Sequence, residues 1–323
     1  MESGRNPYRA SDAGMSDDWR SALSRHFGDD CLLDEPLAAL TTWKVGGAAQ
    51  CLVRPRHEED LHFLSALIQQ HNLPWWILGG GSNVLISDQG LPGIVIQLTH
   101  WAEIHDLGNQ SLSVGGGCSL TQLVAFTVEH GLGGVEELAG IPGSVGGAVA
   151  GNAGAADQQI GQRVVDVLVW TPQHCPSLSL WDAAACDFNY RHSALIPAHV
   201  AVTVTLQLQS RPVEVLQNRK SEMIQHRRQA HKVGGPNAGS VFRNPAGQQA
   251  WRLIDESGLR GARVGQAQVS TQHTNFIVNT GGATADEIYQ LIDRVQRTVV
   301  RHTGVLLQPE VRLMGTFGEP DEV

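Results

Sequence analysis

Leu78-Gly79-Gly80-Gly81-Ser82-Asn83-Val84-Leu85 and Ala139-Gly140-Ile141-Pro142-Gly143-Ser144-Val145-Gly146-Gly147-Ala148 are the two stretches on which the fold of this chain turns. Glycine reaches positive φ and lets backbone approach a ligand closely. Successive N–H groups in such turns form concave anion-binding sites. The first stretch comes after an apolar run at 75–78, yet it is no GxGxxG motif, because Val84 stands where the third glycine is required. Residues 84–98 read as loop and strand without a helix, so the usual dinucleotide unit with its pyrophosphate on a helix N-terminus is not expected. From the residues alone two readings stay open, a backbone nest for pyrophosphate and an ordinary glycine turn.

The whole chain has 323 residues and 36 glycines. That is about 11 %, against a usual 7 % or so, and the excess is concentrated within 79–154. Strand (51–54), helix (58–71), strand (75–78), glycine loop and strand (93–98) make a small α/β unit, with Leu61, Leu64, Leu67 and Ile68 as the helix's apolar face. A strand at 111–114 precedes a helix opened by Ser119 and closed near Gly131. Further strands lie at 164–170 and 200–208, the latter alternating Val202, Val204, Leu206 and Leu208 with Ala201, Thr203, Thr205 and Gln207. A basic helix at 213–230 reads as a bridge into a last domain. There Thr284 and Glu287 form a capping box ahead of the stripe Ile288, Leu291, Ile292, Val295 and Val299, and a final strand spans 310–314. The expected division is a flexible N-terminal extension at 1–30, loose or partly helical, and domains at 31–98, 99–212 and 213–318.

Composition excludes several classes of function. A net charge of -9 argues against general affinity for nucleic acid or an anionic membrane. Between residues 219 and 263, however, nine basic residues face three acidic ones, which suits a small polyanion or a solvated basic face. No apolar run approaches the roughly 20 residues of a membrane span, and the polar N-terminus has no secretory core, so a cytoplasmic protein is expected. The five cysteines are scattered without a CxxC pair and read as free thiols. Fourteen histidines include no HExxH, so no metal is expected. Neither Ser144 nor Ser240 satisfies GxSxG, and no Gly-Lys pair allows a P-loop. Arg191, Ser240 and Glu310 stand out beside unusual backbone or within apolar strands, although single residues of each type are most often structural.

The segments taken together, in order, resemble a known family. Leu40-Thr41-Thr42-Trp43-Lys44-Val45-Gly46-Gly47, the two glycine stretches, Asn152-Ala153-Gly154-Ala155, Tyr190-Arg191, Ala238-Gly239-Ser240-Val241-Phe242-Arg243-Asn244-Pro245 and Glu310-Val311-Arg312 are similar to the UDP-N-acetylenolpyruvoylglucosamine reductases. Each motif is weak alone, and their ordered combination is specific. The short spacing from Arg191 to Ser240 resembles the subfamily that lacks an extra tyrosine-bearing loop. Lys44, where the family often has Arg, and residues 156–161, in place of an aromatic-Gly continuation, are departures.

The resemblance implies a mixed α+β and α/β protein of the vanillyl-alcohol-oxidase-like type. Its two-lobed FAD-binding fold would occupy 31–98 and 99–212, and a C-terminal α+β substrate-binding domain 213–318. FAD would be held non-covalently by Val45, Gly46, Gly79, Gly80, Gly81, Ser82, Asn83, Val84, Gly140, Ile141, Pro142, Gly143, Ser144, Gly146, Gly147, Asn152 and Gly154, its pyrophosphate on backbone N–H groups. NADPH would reduce the flavin, and hydride would pass to the enolpyruvyl ether of a UDP-sugar in peptidoglycan synthesis. Arg191 would hold the substrate carboxylate, Glu310 would act as a protonated or proton-sharing group, and Ser240 would protonate the enolate carbon. Tyr190, Lys232, Asn244 and Arg312 would bind the substrate. A monomer is expected. The alternatives are an FAD oxidase acting on an alcohol and a flavin-binding regulator, neither of which needs Arg191, Ser240 and Glu310 together.

Overall fold

The computed structural model describes residues 18–155, 158–230 and 232–318. Residues 1–17 of the expected extension, and Ala156 and Asp157 of the departing loop, lie outside the described residues.

In the first lobe, strand Cys31–Pro36 runs antiparallel to Ala48–Val53, and Leu91–Ile96 and Trp75–Ile77 are added in parallel. The parallel pairs need a crossover, which helix Glu58–His71 supplies. Its Leu61, Leu64, Leu67 and Ile68 are buried, and it ends on Asn72 in the left-handed region at φ 49. The helical part of the expected extension is Asp18–Phe27, and it is docked on this lobe rather than loose, because Trp19 and Leu23 are inserted in the same core as Leu61 and Leu64.

The second lobe is a five-stranded antiparallel sheet in the order Leu178–Asp182, Val164–Trp170, Val200–Gln207, Ser111–Gly115 and Ile104–Gly108. Ser119 caps helix Leu120–Glu129 by accepting the Gln122 N–H at 3.1 Å. Strand Val200–Gln207 serves two cores: Val200 and Val202 join Trp170 in the first-lobe core, while Val204 and Leu206 lie in the second. The lobes therefore share side chains across 99–212. Helix Val213–Ala230 departs from its expected place in the C-terminal domain, since Leu216 and Met223 are buried in the second-lobe core.

The C-terminal part combines a three-stranded antiparallel sheet, Arg263–Val264, Ala267–Val269 and Ile277–Asn279, with helices Ala250–Glu256 and Ala285–Thr303. The Thr284–Glu287 capping box is formed, and the helix buries its five-residue stripe and ends on Gly304 at φ 75. Two connections tie this part back to the first lobe. Trp43 is fully buried in the C-terminal core and donates its Nε1–H to the Ile277 carbonyl at 2.8 Å. The last strand, Arg312–Met314, pairs in parallel with Val84–Ile86, immediately after the first glycine loop. Among the described residues no helix is long and apolar enough to cross a membrane.

Candidate active site

The two glycine stretches meet. Ser82 Oγ donates to the Pro142 carbonyl at 3.0 Å. A Cβ on Gly80 would lie 2.8 Å from Gly143 Cα, and one on Gly79 would lie 2.7 Å from Ser144 Oγ. Loop-on-loop contact thus already requires glycine at 79 and 80. Between the loops stands a row of donors. Among the described residues the backbone N–H groups of Gly79, Gly80, Gly81 and Ser82 have no acceptor, and neither do those of Gly143 and Ser144. Exposed Gly79 and Gly80 leave this row facing solvent. Such a cradle fits the pyrophosphate of FAD, which needs backbone donors and close approach.

The second loop contributes less to it than the sequence suggests. The N–H groups of Ile141, Gly146 and Gly147 are spent on Leu138 O, Gly116 O and Ser144 Oγ. Replacing Gly80 by Val should separate the loops. The expected result is a folded protein, by circular dichroism, that purifies almost colourless; a normal flavin-to-protein absorbance ratio would count against the cradle.

Arg191 and Glu310 come together although they are distant in sequence. Arg191 Nε lies 2.9 Å from Glu310 Oε1 as an ion pair whose N–H does not point along the line to the oxygen. Arg191 Nη1 donates to the Gly154 carbonyl at 3.2 Å. The residue has φ 54, an uncommon region for a non-glycine residue. Burial pushes the Glu310 carboxyl above its ordinary value, against the pull of Arg191 and Arg243. Burial also lowers Arg312, with Arg243 adding like-charge repulsion, and lowers Arg227, with Arg191 adding the same. Arg191 and Arg243 act on the Glu310 carboxyl, and Arg227 and Arg312 extend this set as the neighbours of Arg191 and Arg243 respectively. That excess of positive charge suits a ligand bearing carboxylate and phosphate groups.

A group whose folded pKa is raised contributes stability that is fully present below its unfolded pKa and lost as pH rises through the folded one. Glu310→Gln keeps this position neutral. Its stability relative to wild type should therefore increase as pH rises above the ordinary value of 4.5. Denaturant unfolding across that range measures the trend, and a difference independent of pH would contradict the raised pKa.

Ser240 lies in a turn led by Gly239 at φ 77. The next residue locks that turn to Glu310: the Glu310 N–H donates to the Val241 carbonyl at 2.7 Å, and Phe242 and Pro309 form an antiparallel bridge. Asn83 completes the junction, donating Nδ2–H to the Glu310 carbonyl and accepting the Arg312 N–H on its own carbonyl, both at 3.1 Å. Residues 79–83, 239–242 and 309–312 are thereby held as one assembly. Buried Asn275 holds it from below, accepting from the Phe242 N–H at 3.0 Å and donating to the Phe242 carbonyl at 2.8 Å. Asn275→Ala strands both groups and should destabilise the fold by about 2 to 5 kcal/mol. A shift in denaturant midpoint corresponding to less than about 1 kcal/mol would show that water replaces the amide.

Other expected site residues also carry structural contacts. Val45 is buried in the C-terminal core, with its N–H and carbonyl both engaged by Thr41 Oγ1. Gly46 is needed because a Cβ there would lie 2.9 Å from Ile86 Cβ. Val84 is paired with Arg312 in the sheet. The Asn152 amide makes three hydrogen bonds within the protein. Its Nδ2 donates to Gln159 Oε1 and the Asn189 carbonyl, and its Oδ1 accepts from the Gly161 N–H. It anchors the loop that carries Arg191. Gly154 acts through its carbonyl on Arg191. Asn244 is exposed, and its Oδ1 already accepts the Ala250 N–H at 3.0 Å. Lys232 is exposed. Tyr190 joins the guanidinium set, its half-exposed ring lying 5.7 Å from the Arg191 guanidinium carbon.

The sequence reading missed Arg227, Arg243 and Asn275. Arg227 reaches the second glycine loop, donating Nε–H to the Ala139 carbonyl at 2.9 Å. Arg243 Nε is buried without a partner among the described residues. The local excess of basic residues was the available signal for both arginines.

A backbone cradle beside a carboxyl set among guanidiniums, on this two-lobed scaffold, defines an FAD-binding oxidoreductase. Residues 49–173 match the family model described as an FAD binding domain, and 229–314 match that for the C-terminal domain of UDP-N-acetylenolpyruvoylglucosamine reductase. The reductase of that name from Syntrophotalea carbinolica is 41% identical over 88% of this chain and 94% of its own. That from Geobacter metallireducens is 40% identical over 93% of this chain and 99% of its own. The crystal structure of the Thermus caldophilus reductase superposes with a TM-score of 0.75 at 36% identity, covering 88% of this chain and 98% of that one. The chain belongs to the UDP-N-acetylenolpyruvoylglucosamine reductase family.

Proposed function

We propose that this protein reduces UDP-N-acetylglucosamine enolpyruvate to UDP-N-acetylmuramate at the expense of NADPH, a step of peptidoglycan synthesis, acting as a cytoplasmic monomer. The observation that carries the reading is the Arg191–Glu310 pair, fixed by backbone bonds to the Ser240 turn and the glycine cradle. Bound in that cradle, FAD supplies a hydride carrier between NADPH and the enolpyruvyl carbon. The chain supplies charge, orientation and a proton.

Arg191, with Arg243 and Arg312 nearby, suits the substrate carboxylate, where negative charge grows as the double bond is reduced. Glu310 opposes that charge least when protonated, which its burial favours. Ser240 then delivers a proton from Oγ to the carbon next to the carboxylate. Arg227, beside the second glycine loop, suits the phosphates. Asn83 and Asn152 orient: the first holds the Glu310 backbone, the second the Arg191 loop.

The test is an anaerobic incubation of the purified protein with NADPH and the enolpyruvyl sugar nucleotide, read by mass spectrometry. The expected product is two hydrogens heavier, in step with NADPH consumed. NADPH oxidation that proceeds only with oxygen, leaving the sugar nucleotide unchanged, would favour an oxidase.

A further inference from the structure

Outside the site described above, two of the five cysteines touch. Cys31 Sγ lies 3.4 Å from Cys51 Sγ, diagonally across the antiparallel pair Cys31–Pro36 and Ala48–Val53. We propose that Cys31 and Cys51 are a dithiol modification site that reacts with small-molecule disulfides of the glutathione class and closes reversibly into a cross-strand disulfide.

Three observations carry it. The sulfurs are in contact at 3.4 Å, and closing to a bond of about 2.0 Å moves the two strands together at this diagonal position. Cys31 lies on the edge strand of its sheet, where displacement disturbs one neighbour, and is half-buried, whereas Cys51 is buried. The surroundings also divide the two roles. The Cys51 thiol, Ser24 Oγ at 3.7 Å and Arg20 all favour a Cys31 thiolate, bringing its pKa down to about 7. The thiolate is the nucleophile in exchange.

Cys51 is held protonated chiefly by its hydrogen bond to Cys31, with burial and the Cys31 charge adding to it. Once Cys31 is converted to a mixed disulfide, its hydrogen bond and charge no longer hold the Cys51 proton, leaving burial as the main opposition to the second step. In the first step Cys31 thiolate attacks one sulfur of oxidised glutathione, forming a mixed disulfide and releasing one glutathione thiolate. In the second, Cys51 loses its proton to solvent and attacks the Cys31 sulfur, releasing the other glutathione. The protein thiols are oxidised to one disulfide, and one oxidised glutathione is reduced to two thiols.

The experiment uses the reduced full-length protein with oxidised glutathione, followed by alkylation and non-reducing tryptic mapping; cleavage at Lys44 separates the two cysteines. The expected result is loss of two alkylatable thiols, a cross-linked pair of peptides containing Cys31 and Cys51, and full reversal by dithiothreitol. In Cys51→Ser the reaction should stop at a glutathione adduct on Cys31, while in Cys31→Ser no adduct should form at position 51. An adduct only on exposed Cys175, with Cys31 and Cys51 both fully alkylated, would overturn the proposal. So would a cross-link that joins other cysteines.

Discussion

Ser240→Ala leaves reduction of bound FAD by NADPH near its wild-type rate and slows reoxidation by the enolpyruvyl substrate by about 10²- to 10⁴-fold, the usual contribution of a general acid. The separation arises from what the residue is asked to do. Flavin reduction needs no proton from Ser240, whereas the carbon beside the substrate carboxylate does. The substitution is small, and the turn is held by backbone bonds of Val241 and Phe242 that do not involve the hydroxyl. Stopped-flow absorbance under anaerobic conditions tracks each half-reaction. Reoxidation at the wild-type rate would remove Ser240 from the proton transfer, and loss of flavin reduction as well would mean that the turn had not survived.

Arg191→Ala is expected to lower kcat/KM for the enolpyruvyl substrate by at least about 10²- to 10³-fold, the scale for deleting one preorganised donor to developing negative charge. The flavin reduction rate should change little. Arg191→Lys should rescue little of the loss. A lysine offers a point charge instead of a planar fork, and Arg191 already divides its guanidinium between Glu310 and the Gly154 carbonyl. Steady-state kinetics on both variants checks this; a lysine variant within a few-fold of wild type would mean that charge alone suffices.

The cradle and the capped helices were legible because their causes are local. Glycine marks positions where a Cβ has no room, and Thr284 with Glu287 writes its cap within four residues. Of the guanidinium set, Arg191 and Arg312 were legible through the resemblance, and Arg227 and Arg243 only as an excess of charge. Which arginines belong to the set depends on contacts such as Arg227 to the Ala139 carbonyl, 88 residues away. Asn275 carried no signal at all, because its partner Phe242 is 33 residues earlier and any buried asparagine looks alike in sequence. The internal contacts of Asn152 were hidden for a related reason, since its partners Gln159 and Asn189 lie 7 and 37 residues away. The attachment of helix Val213–Ala230 was hidden because Leu216, Met223 and Ile224, which pack on the second lobe, are sparse apolar positions in an otherwise polar sequence.

A single anaerobic cycle followed by visible absorbance decides whether this chain is the reductase. Purified protein reconstituted with FAD should show the oxidised flavin band, lose it on addition of one equivalent of NADPH, and regain it on addition of one equivalent of UDP-N-acetylglucosamine enolpyruvate. A band that bleaches with NADPH and stays bleached until oxygen is admitted would contradict the assignment of substrate, and a protein that takes up no FAD would contradict the cradle and the chemistry built on it.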